Sequence, residues 1–91
     1  MRRAAKQDAN QPDIIKALEA CAVKVYVLGK PVDLLCCRQD KRLFLLEVKN
    51  PDGLNRITKE QAEFFQVWPG DVHIVRTPDE AVRAVLGDVC K

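Results

Sequence analysis

The sequence predicts one α/β domain in which a central sheet is covered by helices on both faces. Three features predict it. Apolar residues recur at helical spacing in three segments, four short runs are rich in β-branched or other apolar residues, and turn-forming residues separate them, giving the order α-β-β-β-α-β-α. At 91 residues, 47% apolar and 31% charged, the chain has material for one small core and not two.

Residues 1–10 are polar and are expected to fray. A helix is expected over about Pro12–Ala22: Asn10 is a candidate cap, proline suits the first turn, and Ile14, Ile15, Leu18 and Cys21 fall on one face. Val23–Leu28 reads as a first strand, broken by Gly29-Lys30-Pro31. Val32–Cys37 and Leu43–Lys49 read as a hairpin around the polar turn Arg38–Arg42. Leu34, Cys36, Phe44, Leu46 and Val48 fall on one face of that hairpin; Leu35, Cys37 and Leu45 fall on the other. Strands apolar on both faces belong in the middle of a sheet. Asn50-Pro51-Asp52-Gly53 is a loop. Thr58 and Gln61 form a capping box that opens a helix running to about Trp68, and at least two of Phe64, Phe65 and Trp68 are expected to fill the core. Asp71–Val75 is the fourth strand. Thr77 and Glu80 suggest a second capping box, for a helix ending near Leu86 with Gly87 as its stop.

Composition narrows the function classes. The net charge of +2 hides an uneven distribution: residues 1–59 carry 12 Lys/Arg against 7 Asp/Glu, and residues 60–91 carry 3 against 6. A basic first two-thirds suits a polyanionic partner. The cysteines, Cys21, Cys36, Cys37 and Cys90, lack the paired spacing of a zinc site, and His73 is the single histidine. They read as reduced, buried thiols, and His73 reads as a packing residue. No apolar run follows the basic start, and no stretch approaches the roughly 20 apolar residues of a membrane helix. A cytoplasmic protein is expected.

The chemistry lies in the hairpin. If it turns on Asp40, Asp33 stands opposite Glu47 on one face, with Cβ atoms about 4.5–5.5 Å apart. Lys49, two residues beyond Glu47, projects to the same face. Like charges that close together oppose ionisation, and a divalent cation resolves the conflict. A plainer reading stays open, in which Asp33 merely begins a strand and Glu47 and Lys49 form an ordinary surface salt bridge.

Pro31-Val32-Asp33 followed by Glu47-Val48-Lys49 resembles the signature of the PD-(D/E)XK nucleases, with one residue inserted between Pro and Asp. Asp8-Ala9-Asn10-Gln11, Leu46–Asn50, and Ile57–Ala62 followed by Phe64 and Phe65 resemble the virus-type replication-repair nucleases (VRR-NUC), stand-alone phage forms included, and archaeal Holliday-junction resolvases. The likeness spans residues 8–86. It implies a restriction-endonuclease-like αβββαβ core: a mixed four-stranded sheet flanked by helices, with a C-terminal helix added. It also implies a homodimeric, Mg²⁺- or Mn²⁺-dependent endonuclease that hydrolyses phosphodiesters in branched or junction DNA, in a bacterial or phage-infected cell. Asp33, Glu47 and the Val48 carbonyl would hold the metal. Lys49 would orient the attacking water and stabilise the charged transition state. Gln61 would contact the Lys49 side of the site, alongside or instead of its capping role.

The chain departs from the pattern at Gln11, where relatives often carry a glutamate that reaches the metal. A neutral amide is a poorer ligand, which raises the alternative of a catalytically silent nucleic-acid-binding module of the same fold. Phosphate contacts would fall to Arg2, Arg3, Lys6, Lys30, Arg56 and Lys59, and such contacts position DNA without reading its sequence.

Overall fold

A computed structural model describes residues 9–51 and 57–87. Its elements are α1 (Gln11–Ala20), β1 (Lys24–Val27), β2 (Leu34–Cys37), β3 (Leu43–Val48), α2 (Lys59–Val67), β4 (Asp71–Val75) and α3 (Pro78–Leu86). The order is the one expected, and the differences lie at element ends. Among the described residues, no helix is long and apolar enough to cross a membrane.

The four strands form one sheet in the order β1-β2-β3-β4. The first two pairings are antiparallel and β3 pairs with β4 in parallel, so the sheet is mixed. The doubly apolar β2 and β3 take the central places, as their composition requires. Leu34 faces Leu46 and Cys36 faces Phe44, the register of a hairpin that turns on Asp40. Arg38 donates its N–H to Arg42 O at 2.9 Å, and Lys41 takes a left-handed conformation in the turn (φ 73).

One face of the sheet carries the core. Leu34, Cys36, Phe44, Leu46, Val48 and Val75 pack against Ile14 and Leu18 of α1 and Ala81, Val85 and Leu86 of α3. Each of these large side chains gains roughly 1.5–3 kcal/mol by leaving water. Burial pushes the Cys36 thiol up to about 12, so it stays protonated. Cys21 and Cys37 are half-buried free thiols, and Cys90 lies outside the described residues. His73 is half-buried, its ring 6.1 Å from that of Phe44.

Helix α1 ends two residues short of expectation because the chain turns there. Ala22 adopts a left-handed conformation (φ 64), Ala22 N–H donates to Glu19 O at 3.0 Å, and Val23 N–H donates to Leu18 O at 3.1 Å. This is a Schellman closure with alanine where glycine is usual. Its hydrophobic partners, Leu18 and Val23, both enter the core.

The opposite face is covered less completely. Helix α2 crosses it, with Phe65 and Trp68 bordering Val72 and Ile74. The Thr58–Gln61 capping box is present, but α2 buries none of its residues. The expectation that at least two of its aromatics fill the core is therefore corrected: Phe64 and Phe65 are half-buried, and Trp68 is 42% exposed. The core closes on the α1/α3 face, and α2 lies across the sheet without penetrating it. The second capping box is also corrected. Thr77 accepts from Glu80 N–H at 3.1 Å, but the Glu80 carboxylate reaches one residue further back, to Arg76 N–H at 2.7 Å.

Candidate active site

Alternation along β3 separates its side chains cleanly. Leu46 and Val48 enter the core, so Glu47 projects from the other face, and Lys49 follows on that side. Asp33 directly precedes β2, and its carboxylate reaches β3 at Val48, the residue after Glu47. The hairpin therefore brings both acids to the same end of the sheet. In an antiparallel ladder, residues alternate between bonding the partner strand and facing away from it. Arg38 and Arg42 bond across the hairpin, so by alternation Val48 presents its backbone to β2, while Lys49 N–H bonds Val75 O of β4 at 2.9 Å.

Asp33 uses that alternation. Its Oδ2 accepts the Val48 N–H at 2.8 Å, a donor the ladder would otherwise give to a backbone carbonyl. Its own carbonyl accepts from Leu28 N–H at 2.8 Å and Gly29 N–H at 3.3 Å, which extends the β1 pairing. Asp33 is thus fixed through both its backbone and its carboxylate, beside the Val48 backbone, whose carbonyl points with its N–H toward β2.

Glu47 is 5% exposed, an unusual burial for a carboxylate. Its Oε2 is 3.1 Å from Lys49 Nζ, while its Oε1 is buried with no hydrogen-bond partner. An acceptor left unmet in the interior costs about 1–3 kcal/mol when neutral and more when charged. Lys49 therefore meets half of what this carboxylate requires, and the remaining oxygen fits a cation. Among the described residues no third His, Cys, Asp or Glu joins Asp33 and Glu47 in a metal-holding group. A cation held here would take its other donors from backbone carbonyl and water, as hard divalent ions commonly do.

Gln61 reaches the site through the backbone. Its Oε1 accepts from Thr58 N–H at 3.3 Å, and its Nε2 donates to Pro31 O at 3.2 Å, two residues before Asp33. The capping amide also pins α2 to the segment that presents Asp33. Lys30 and Lys59 are exposed on the same approach. Arg2, Arg3, Lys6 and Arg56 lie outside the described residues.

Gln11 is 2% exposed in the first turn of α1. Its neighbour Asn10 departs from expectation, for its side chain does not cap the helix. Instead Nδ2 donates to Lys49 O at 3.0 Å and to Arg76 O at 2.6 Å, tying the start of α1 to the ends of β3 and β4. Sequence reasoning missed this role because Asn before Gln-Pro is a conventional cap signal, and the two carbonyls lie 39 and 66 residues away. Asn10 Oδ1, like Glu47 Oε1, is buried without a partner.

Neither a family model, nor a curated protein, nor a solved structure matches the chain. The functional reading therefore rests on the residues and their geometry.

Proposed function

We propose that the protein is a small metal-dependent nuclease of the PD-(D/E)XK type, close in character to the VRR-NUC and Holliday-junction-resolvase groups. It would act as a cytoplasmic homodimeric endonuclease on branched DNA. One observation carries the reading: a carboxylate on a central strand, buried, half-satisfied by a lysine two residues on, with a second acid hydrogen-bonded to the backbone of the next residue. The Lys49 salt bridge alone does not satisfy this carboxylate, because Glu47 Oε1 has no protein donor.

Asp33, Glu47 and the Val48 carbonyl would hold Mg²⁺ or Mn²⁺, which when bound supplies Lewis-acid activation and charge neutralisation at the phosphate. Asp33 is positioned for this by the Val48 N–H. Lys49 balances Glu47 and would present its ammonium group to the negative charge that develops on the phosphate oxygens. Gln61 positions the Asp33 segment through Pro31. Lys30 and Lys59, with Arg2, Arg3, Lys6 and Arg56, would neutralise backbone phosphates and favour DNA shape over sequence.

The test is a panel of four-way junctions, flaps, duplexes and single strands incubated with Mn²⁺, together with calorimetry of Mn²⁺ alone. Cleavage that requires the metal and disappears in Asp33→Asn supports the reading. Absence of Mn²⁺ binding would overturn it. Gln11 favours the second reading, a silent nucleic-acid-binding module, whose signature is tight binding of branched DNA with no product under the same conditions.

A further inference from the structure

Between the end of α2 and the edge strand β4 lies an open recess of about 410 Å³, lined by Phe65, Trp68, Gly70, Val72, His73 and Ile74. We infer that this recess receives an unpaired nucleobase from the strand whose phosphate lies at Glu47. The proposal rests on the nuclease reading only for the identity of the ligand.

Position is the first argument. Ile74 is the register partner of Glu47 on the neighbouring strand, and both project from the face opposite the core. Adjacent strands are about 4.8 Å apart, so a nucleotide whose phosphate is held at Glu47 through a divalent cation would have its base within reach of Ile74 and the recess. The volume falls in the roughly 300–1,000 Å³ range of small-molecule sites.

Side-chain chemistry is the second. The chain has five aromatic residues of the Phe, Trp and Tyr types, and three of them, Phe64, Phe65 and Trp68, sit at this end of a helix with no fully buried residue. Trp68 stacks on Phe64, with centroids 5.4 Å apart and planes inclined by 24°, and remains 42% exposed. Stacked indole and phenyl rings at a rim form the platform on which single-stranded bases bind. Gly70 permits this arrangement: a Cβ there would lie 2.8 Å from Trp68 Nε1.

Charge decides what part of a nucleic acid enters. Glu60 and Glu63 are exposed along α2, which opposes a phosphate backbone laid on the helix. A base, which is neutral and has two stacking faces, fits the recess better than backbone does. Bases inside a duplex are already stacked, so the recess selects DNA with an unpaired nucleotide, such as a bulge or the crossing point of a branch.

The experiment uses the whole chain with Ca²⁺ in place of Mg²⁺ or Mn²⁺, so the acids are neutralised and binding is read apart from cleavage. Trp68 is the single tryptophan, and its emission reports on the recess directly. The probes are a fully paired duplex and the same duplex with one bulged 2-aminopurine. The bulged DNA should quench Trp68 and bind more tightly. Trp68→Leu should weaken the bulged complex roughly 5- to 150-fold and restore 2-aminopurine emission. The paired duplex should change less than about two-fold, and Trp68→Phe should recover most of the loss. Gly70→Ala, which displaces the indole, should act in the same direction. Equal binding of the two DNAs with unmoved Trp68 emission overturns the proposal. So does a Trp68→Leu protein that loses a dimer in sedimentation while binding the bulge normally, for the recess is then a contact between copies. A parallel Mn²⁺ cleavage assay separates the two ideas. Cleavage without quenching sinks the recess alone, and quenching without cleavage sinks the nuclease alone.

Discussion

Lys49 Nζ stands 3.1 Å from Glu47 Oε2, with the two side chains only 13% and 7% exposed. Removing one member of such a pair leaves a charge that the interior solvates poorly, whereas replacing both with apolar groups is often neutral or stabilising. Lys49→Met should therefore lower unfolding stability by about 3 kcal/mol, the low end for buried pairs, because the site opens at a strand end. The double variant Glu47→Leu/Lys49→Met should recover that loss or exceed the parent, while being inactive. Urea denaturation of the parent, both single variants and the double variant measures the coupling. A double variant as unstable as Lys49→Met would show that the pair is kept for folding and not for function.

The unmet Glu47 Oε1 should make the protein's melting temperature depend on divalent ions. At 100 times its dissociation constant, a ligand specific to the folded state adds about 2.7 kcal/mol. Mn²⁺ should raise the parent's Tm and leave Glu47→Gln and Asp33→Asn unmoved. Asparagine at 33 can still accept the Val48 N–H, so that variant removes charge and spares the local fold. Lys49→Ala should keep the metal response and lose cleavage by on the order of 10²–10³-fold. Scanning calorimetry with and without Mn²⁺ checks the first part, and single-turnover cleavage checks the second.

Much of this arrangement could be read from the residues, because the informative signals were local. The β2–β3 hairpin was legible since Arg38–Arg42 is a polar turn between two apolar runs, and that brings Asp33 to the end of β3 that carries Glu47. Thr58 and Gln61 announced α2 for the same reason. What escaped was long-range. Asn10 has the local chemistry of a cap, and only the folded chain brings the Lys49 and Arg76 carbonyls to it. Phe64, Phe65 and Trp68 look like core residues by hydrophobicity, yet the core is completed by α1 and α3 on the other face. Periodicity reports that a face is apolar; it does not report which element covers it.

Ala22 is a place where the fold is strained by its sequence. Its left-handed φ of 64 is required by the turn from α1 into β1, and a Cβ there is unfavourable. Ala22→Gly should relieve that strain, about 1–2 kcal/mol, against a smaller entropic cost of ordering glycine, for a net gain of about 0.5–1 kcal/mol. Guanidinium denaturation with an unchanged m-value would support this. A loss of stability would mean that the alanine methyl contributes packing that outweighs the backbone term.

Asp40 offers a test by pH. Arg38, held by its Nη1 donating to Val85 O at 3.0 Å, hydrogen-bonds the Asp40 carboxylate, and Arg42 N–H adds a second donor at 3.2 Å. The Arg38 hydrogen bond leads in holding this carboxyl at about 2, below its ordinary 3.8. The folded chain thus binds this proton less readily than the unfolded chain does, so stability must rise with pH across the interval between the two values. The contribution is complete above the unfolded value and fades as pH falls from about 4 to 2. Asp40 is exposed although Arg38 is largely covered, so added salt should shrink the effect. Carboxyl chemical shifts followed by NMR should place the Asp40 midpoint near 2, and Arg38→Met should return it to the ordinary range. Asp40→Asn should flatten the fall in stability over that same interval and leave the profile above pH 5 as it was. An Asp40 that titrates near 3.8 in the parent would remove the hydrogen-bonded turn from the account of how the β2–β3 hairpin is closed.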